Sequence, residues 1–397
     1  MNIQTKNIEH HQVVVVIVQL PAQGHLNQLL HLSNFITSYG IPVHYAGSTF
    51  HNRQAKIRFH GWNSKILTKI HFDDFELPPF DSPPPKIDDL FLHHVQPLLE
   101  AMMHLRQPVF HLMKQLSKIY KRVVIIYDNS MSYIFQDVKL IPNGEAYAFL
   151  PICAFTYFAM EWESMPEEAK PFRVDAIYVP NCMPSQEGCI TKEMLEFLEN
   201  FNKSSGFESG WLYNTSRVID RKYVEFLGKM ISLKKGDDVQ NFELGPLNPV
   251  HIQSTSKNRH HSLEWLDAQE KDLILYVSFW TRILLKDDQI EELAKGLEIC
   301  GKKFIWVLQQ TDPNDIFVEA DKVKKPQLPA SFEERELRDE IVKSNIIEHA
   351  VKTLMASQEG KEIKKRAKEL GEAVRGSVAK CGVSDLERDA FIAHISR

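Results

Sequence analysis

Two polar residues stand where an α/β chain places its chemistry. His25 follows the β-branched run Val13–Val18 across a short loop containing Pro21 and Gly24, and Asp128 directly ends a second buried-type run, Arg122–Tyr127. The carboxyl ends of parallel strands are where open α/β sheets hold ligands. Imidazole is the side chain whose unperturbed pKa suits proton transfer near neutral pH. Asp is also a favoured helix N-cap, so Asp128 taken alone has that second reading. The adjacent pairs His10/His11, His93/His94 and His260/His261 point to no metal, because chain neighbours do not converge on one ion without further partners. Five cysteines, odd in number and without CxxC or Cys/His metal spacing, indicate free thiols in a reducing compartment.

The elements that must position these residues can be read from apolar patterning. Val13–Val18, then Pro21 and Gly24, then apolar residues at Leu26, Leu29, Leu30, Leu32, Phe35 and Ile36 up to Gly40, read as strand, loop, helix and C-cap. An extended segment, Ile41–Ala46, follows, so the chain opens with a βαβ unit whose two strands are parallel, buried neighbours. The Pro-rich stretch Leu77–Pro85 interrupts regular structure before a helical region over Ile87–Ser117. Further strands are expected at Glu145–Phe149 and Gly210–Thr215. The Gly-, Pro-, Asn- and Ser-rich stretch 245–261 reads as an interdomain linker. Beyond it, strands at Leu273–Phe279 and Lys303–Leu308 flank a helix over Asp287–Cys300, and from about Val342 the pattern is helical to the end. Two strands are few for a sheet covered on both faces. The division expected is residues 1–247, a linker at 248–261, and 262–397.

A length of 397 residues suits two domains, and 43% hydrophobic with 25% charged residues is the composition of a globular protein with a core. The net charge of −5 is spread along the chain, which excludes a nucleic-acid or anionic-membrane stripe and favours small-molecule or protein partners. The polar N-terminus and the absence of a long apolar run lead to the expectation of a cytoplasmic protein without membrane association. The sequons at Asn202 and Asn214 then read as chance.

The segment Pro21-Ala-Gln-Gly-His-Leu-Asn-Gln-Leu-Leu-His-Leu-Ser33 resembles the opening loop and helix of plant UDP-dependent glycosyltransferases. Its continuation Gly40-Ile-Pro-Val-His-Tyr-Ala-Gly47 and His51-Asn-Arg-Gln-Ala55 is most similar to the zeatin O-glucosyltransferase and O-xylosyltransferase branch. Leu212–Ser216, Gly245-Pro-Leu247, Ser262–Asp267 with Tyr276–Phe279, and Phe304–Leu308 agree. The resemblance implies an α/β, GT-B architecture of two Rossmann-like domains facing a cleft, the first holding the acceptor and the second the UDP-sugar. It implies sugar transfer to a hydroxyl with inversion, on a small cytokinin-like acceptor, with UDP-sugar as substrate and no cofactor or metal. A monomer is expected. His25 matches the family's base, and Asp128 the carboxylate that orients it from the same sheet edge. Asn129, Phe155 and Trp162 are the candidate acceptor contacts, Phe155 and Trp162 having a second reading as core aromatics, and Thr281 matches a donor-phosphate contact.

The resemblance breaks in one place. The family's donor box, opening on Trp-Ala-Pro-Gln with a His-Cys-Gly-Trp-Asn-Ser core and an Asp-Gln end, is absent. Leu328–Arg335 corresponds to the segment before that box and Glu336–Ile347 to one well after it, so the break falls near Arg335. Trp280 also replaces a family Gly beside the donor phosphates, where an indole crowds them. These departures define a truncated second domain, with interior strands gone and apolar surface uncovered, and a second reading in which the chain is catalytically impaired and binds acceptor or a partner only.

Overall fold

The computed structural model describes residues 12–57, 68–80, 96–165, 208–235, 239–248, 261–270, 273–279, 287–307 and 343–397, with isolated positions between 179 and 197. It divides into two compact units. The first comprises Met1–Pro83, Leu90–Ile252 and Ala373–Arg397, and the second Pro84–Asp89 and Gln253–Glu372. Residues 373–397, grouped with the second domain in the sequence reading, therefore lie in the first unit.

The first unit is built on a seven-stranded parallel sheet with strands β1 (Val13–Val18), β2 (Val43–Ser48), β3 (Ile70–Phe75), β4 (Arg122–Asp128), β5 (Gly144–Leu150), β6 (Gly210–Tyr213) and β7 (Gln240–Glu243), in spatial order β3-β2-β1-β4-β5-β6-β7. Strand β1 is central, which explains its uninterrupted β-branched run: every residue of it is buried and both of its neighbours are strands. The spatial order reverses between β1 and β4, and Val18 pairs with Tyr127, so the carboxyl ends of these two strands are level at the switch point.

Helix α1 (Gln23–Ser38) buries Leu26, Leu29, Leu30 and Ile36 at helical spacing on one face of the sheet. It ends at Gly40, whose φ of 78° and N–H bond to Thr37 O close the last turn. The first unit also contains α2 (Thr49–Ile57), α3 (Gln96–Met102), α4 (Arg106–Leu116), a 3-10 segment Asn129–Leu140, α5 (Ala154–Ser164) and α6 (Arg217–Lys235).

The second unit has α7 (His261–Asp267), β8 (Ile274–Ser278), α8 (Asp287–Ile299), β9 (Lys303–Val307), α9 (Ser344–Ala356) and most of α10 (Gln358–Val378), with β8 and β9 parallel. Helix α9 rests on α8 where Gly296 allows it, since a Cβ there would stand 2.7 Å from Ile347. Ser344 N donates to Glu292 Oε2 at 2.6 Å in the same contact. Among the described residues the sheet has two strands, so both are edges, and Tyr276 is 66% exposed on β8.

The last helix, α11 (Val383–Ile395), completes the first unit's core. Phe391, Ile392 and Ile395 join one buried cluster with β1, β2, β4–β7 and α1. Arg388 donates to Leu244 O and Pro246 O, both at 2.7 Å, and Arg122 donates from Nη1 to His394 O at 3.1 Å and Ile395 O at 3.2 Å, where the helix leaves carbonyls without intrahelical partners.

Beside α11, Arg217 donates to Glu243 Oε1 at 3.0 Å and reaches Glu387 at 3.1 Å. Burial pushes the Glu243 carboxyl up to about 7, Arg217 opposing and Glu387 adding to the rise. Because its folded pKa is raised, the protonated acid is the favoured folded form, and that stability is lost as pH rises through about 7. Glu243→Gln is expected to stabilise the protein at pH 8 by at most about 3 kcal/mol and to change little at pH 4. Urea melts at the two pH values check this, and equal effects at both would remove the assignment.

Candidate active site

The switch point carries the sequence-identified pair. Helix α1 begins earlier than its apolar pattern indicates, at Gln23, so His25 lies in its first turn instead of in the preceding loop. That turn is fixed by two backbone bonds to Ala22 O, from His25 N at 2.8 Å and Leu26 N at 2.9 Å. Tyr45, buried on β2, donates its hydroxyl to Leu26 O at 2.9 Å, and burial followed by the nearby Asp128 charge pushes its phenol upward, keeping it a donor.

Asp128 ends β4 fully buried and works with both oxygens. Oδ1 accepts Ser130 N–H at 3.0 Å as the N-cap of the 3-10 segment, so the capping reading holds. Oδ2 lies 2.5 Å from His25 Nδ1. His25 is 26% exposed and Asp128 0%. A carboxylate accepts at Nδ1 only if that nitrogen carries the proton, which leaves Nε2 as the basic lone pair. The arrangement can take a proton from a bound hydroxyl at Nε2 while Asp128 stabilises the resulting imidazolium.

Asn129 follows Asp128 directly, but its side chain hydrogen-bonds the Tyr157 hydroxyl on α5. Phe155 and Trp162 are both on α5, in an aromatic group with α6: Phe155 has its ring centre 5.0 Å from that of Tyr223, and Trp162 6.3 Å from Phe158. Thr281, Trp280 and the break near Arg335 lie outside the described residues. Asn214, flagged as a sequon, is committed within the fold: its Nδ2 donates to Gln28 Oε1 on α1 and its Oδ1 accepts Leu247 N–H at 2.9 Å. Among the described residues no group of His, Cys, Asp or Glu is arranged to hold a metal ion, and no helix is long and apolar enough to cross a membrane.

A buried amide relay beside the pair was not found from sequence. Gln19, one step past β1, donates from Nε2 to Asn52 Oδ1 at 3.2 Å. Asn52 in turn donates to Asp73 O at 3.0 Å and Asp74 Oδ1 at 2.7 Å. Gly47 on β2 makes room for this relay, since a Cβ there would stand 2.1 Å from Gln19 Nε2. The register of β1 against β2 and of β2 against β3 brings Gln19, Gly47, Asp73 and Asp74 level, with Asn52 supplied by α2, and residue type alone carries no such signal.

The glycosyltransferase N-terminal domain family matches residues 11–249. Zeatin O-xylosyltransferase of Phaseolus vulgaris is 36% identical over 462 residues, covering 97% of this chain and 98% of that protein. Zeatin O-glucosyltransferase of Phaseolus lunatus is 35% identical over 474 residues, covering 100% of each. A solved UGT transferase from Siraitia grosvenorii in complex with UDP superposes with a TM-score of 0.72 at 18% identity, covering 97% of this chain and 100% of that one. The Medicago truncatula protein UGT71G1 complexed with UDP-glucose gives 0.66 at 15% identity, covering 98% and 99%. The fold is of the GT-B class. The chain belongs to the plant UDP-dependent glycosyltransferases, and its curated relatives include enzymes named for zeatin.

Proposed function

We propose that this chain is built to deprotonate a hydroxyl of a small cytokinin-like acceptor for attack on a UDP-sugar, with inversion at the anomeric carbon. The observation that carries the reading is the 2.5 Å contact of His25 Nδ1 with buried Asp128. The acceptor proton passes to His25 Nε2 as its oxygen bonds the anomeric carbon. The bond from that carbon to the diphosphate breaks, and UDP leaves with the electron pair. A single displacement of this kind inverts the centre. In this reading Asn129, Phe155 and Trp162 contact the acceptor, Thr281 contacts the donor, and the protein acts as a cytoplasmic monomer.

A second reading has its own support. The alignment to the Phaseolus lunatus protein spans 474 positions against the 397 residues of this chain, so at least 77 positions are gaps on this side. The donor box is missing from the sequence. Donor placement is the larger part of such a transfer, because proximity and orientation lower the barrier most. Under this reading the chain retains the acceptor and proton-transfer half and catalyses poorly or not at all. Calorimetric titration with UDP and then UDP-glucose, up to millimolar concentrations, separates the two. Saturable heat supports transfer, whereas its absence from a folded sample leaves an acceptor-binding member of the family.

A further inference from the structure

The sheet edge opposite the His25–Asp128 pair holds a cavity of about 390 Å³, lined by Gln12, Lys121, Arg122, Asn143, Glu145 and Arg397 among others. Gln12 precedes β1, Lys121 precedes β4 and Arg122 opens it, and Glu145 lies at the start of β5, so the cavity sits at the amino ends of the strands. Its lining side chains include three cations and one carboxylate, and Arg122 Nη1 also lies 3.4 Å from Arg397 O. Arg122 forms the floor with 8% exposure. Its Nη1 is held by carbonyls of the α11 end, its Nη2 by Glu145 Oε1, and its buried Nε has no partner among the described residues.

The other two cations are held more loosely. Lys121 is exposed, with Nζ 3.3 Å from Gln12 Oε1. Arg397 Nη2 lies 3.3 Å from Glu145 Oε1, and its side chain is half exposed. Glu145 is already engaged by Arg122, Arg397 and the Tyr147 hydroxyl, the last at 2.9 Å. Asn143 is fixed by donating to Ser117 O at 3.1 Å and Tyr120 O at 2.9 Å. Glu145 joins Arg122 and Arg397, which leaves Lys121 without a carboxylate partner in the lining, and guanidinium and ammonium groups together suit the oxygens of a phosphate. The volume is in the range of small-ligand sites and exceeds the needs of a bare ion.

We propose that this cavity is a binding site for a small phosphorylated metabolite, its phosphate held by Lys121 and Arg397 over the Arg122 floor. The same floor arginine holds the carbonyls of α11, so occupancy also strengthens the seating of that helix.

The test uses the full chain and inorganic phosphate as the first probe, with ribose 5-phosphate as the second, in calorimetry and thermal melting against sodium chloride of matched ionic strength. The expected result is saturable binding with a dissociation constant of about 1 mM or below, tighter for the organic phosphate, and a melting temperature raised by phosphate but not by chloride. The double variant Lys121→Glu, Arg397→Ala should melt like the parent without phosphate and bind at least about tenfold more weakly. His25→Ala should bind as the parent does. An equal shift from chloride, parent-like binding by the double variant, or the absence of saturation would each overturn the proposal.

Discussion

His25→Ala is expected to slow sugar transfer from UDP-glucose to a hydroxylated cytokinin-type acceptor by about 10²–10⁴, the usual worth of a positioned general base. Acceptor affinity should change by only a few-fold, because the imidazole acts on the proton in flight and adds little to ground-state binding. Single-turnover assays with separated binding measurements check both halves, and a variant as fast as its parent would strip His25 of its role. Asp128→Asn belongs to the same expectation by a different route: an amide in place of the carboxylate favours the wrong imidazole tautomer. The tautomer has a readout that needs no turnover. Nitrogen-15 shifts of the His25 ring should report the Nδ1–H form in the parent and a mixture of forms in Asp128→Asn. A parent ring already mixed would contradict the 2.5 Å contact.

Phe391→Ala is expected to destabilise the protein by about 3–5 kcal/mol, the range for deleting a buried aromatic side chain. Phe391 is fully buried, with its ring 5.3 Å from Phe242 and 5.8 Å from Tyr147. Neither neighbour can refill the space easily, since β5 and β7 fix both in the sheet. Urea melts should show a lower midpoint with an unchanged slope for the transition of the first unit. A loss below about 1 kcal/mol would mean that α11 does not pack as described.

The parts of this fold legible in the sequence are those where one element's own residues settle its state. Strands β1 and β4 announce themselves because they are buried along their whole length and so read as continuous apolar runs. Strand β3 escaped notice because it is the sheet's edge, where Ile-His-Phe-Asp-Asp-Phe needs only one partner and tolerates two carboxylates. Strand β7, four residues at the other edge, has no pattern long enough to read. Helix α11 was legible as a helix, but its destination was not, since periodicity defines an apolar face and says nothing about what covers it. The same limit applies at the site. His25 and Asp128 were found through a thirteen-residue motif and a strand ending, while Tyr45, Gln19 and Asn52 depend on register across three strands. The start of α1 lies about a turn before its apolar face, which begins at Leu26, because the first turn is held by backbone bonds that leave no mark on residue type.

The position of α11 in the chain sets the order in which this protein can be finished as it is made. At about 5–20 residues per second, the ribosome needs roughly 7–30 s to travel from Leu247 to Phe391. Throughout that time the sheet face awaiting Phe391, Ile392 and Ile395 stands open, although every strand beneath it has already been synthesised. The half that holds His25 and Asp128 is therefore the first to be synthesised and the last to close. A nascent chain stalled anywhere in the second unit would present bare apolar sheet to chaperones, while a frame-preserving shortening of that unit would shorten the wait and leave the closing helix intact.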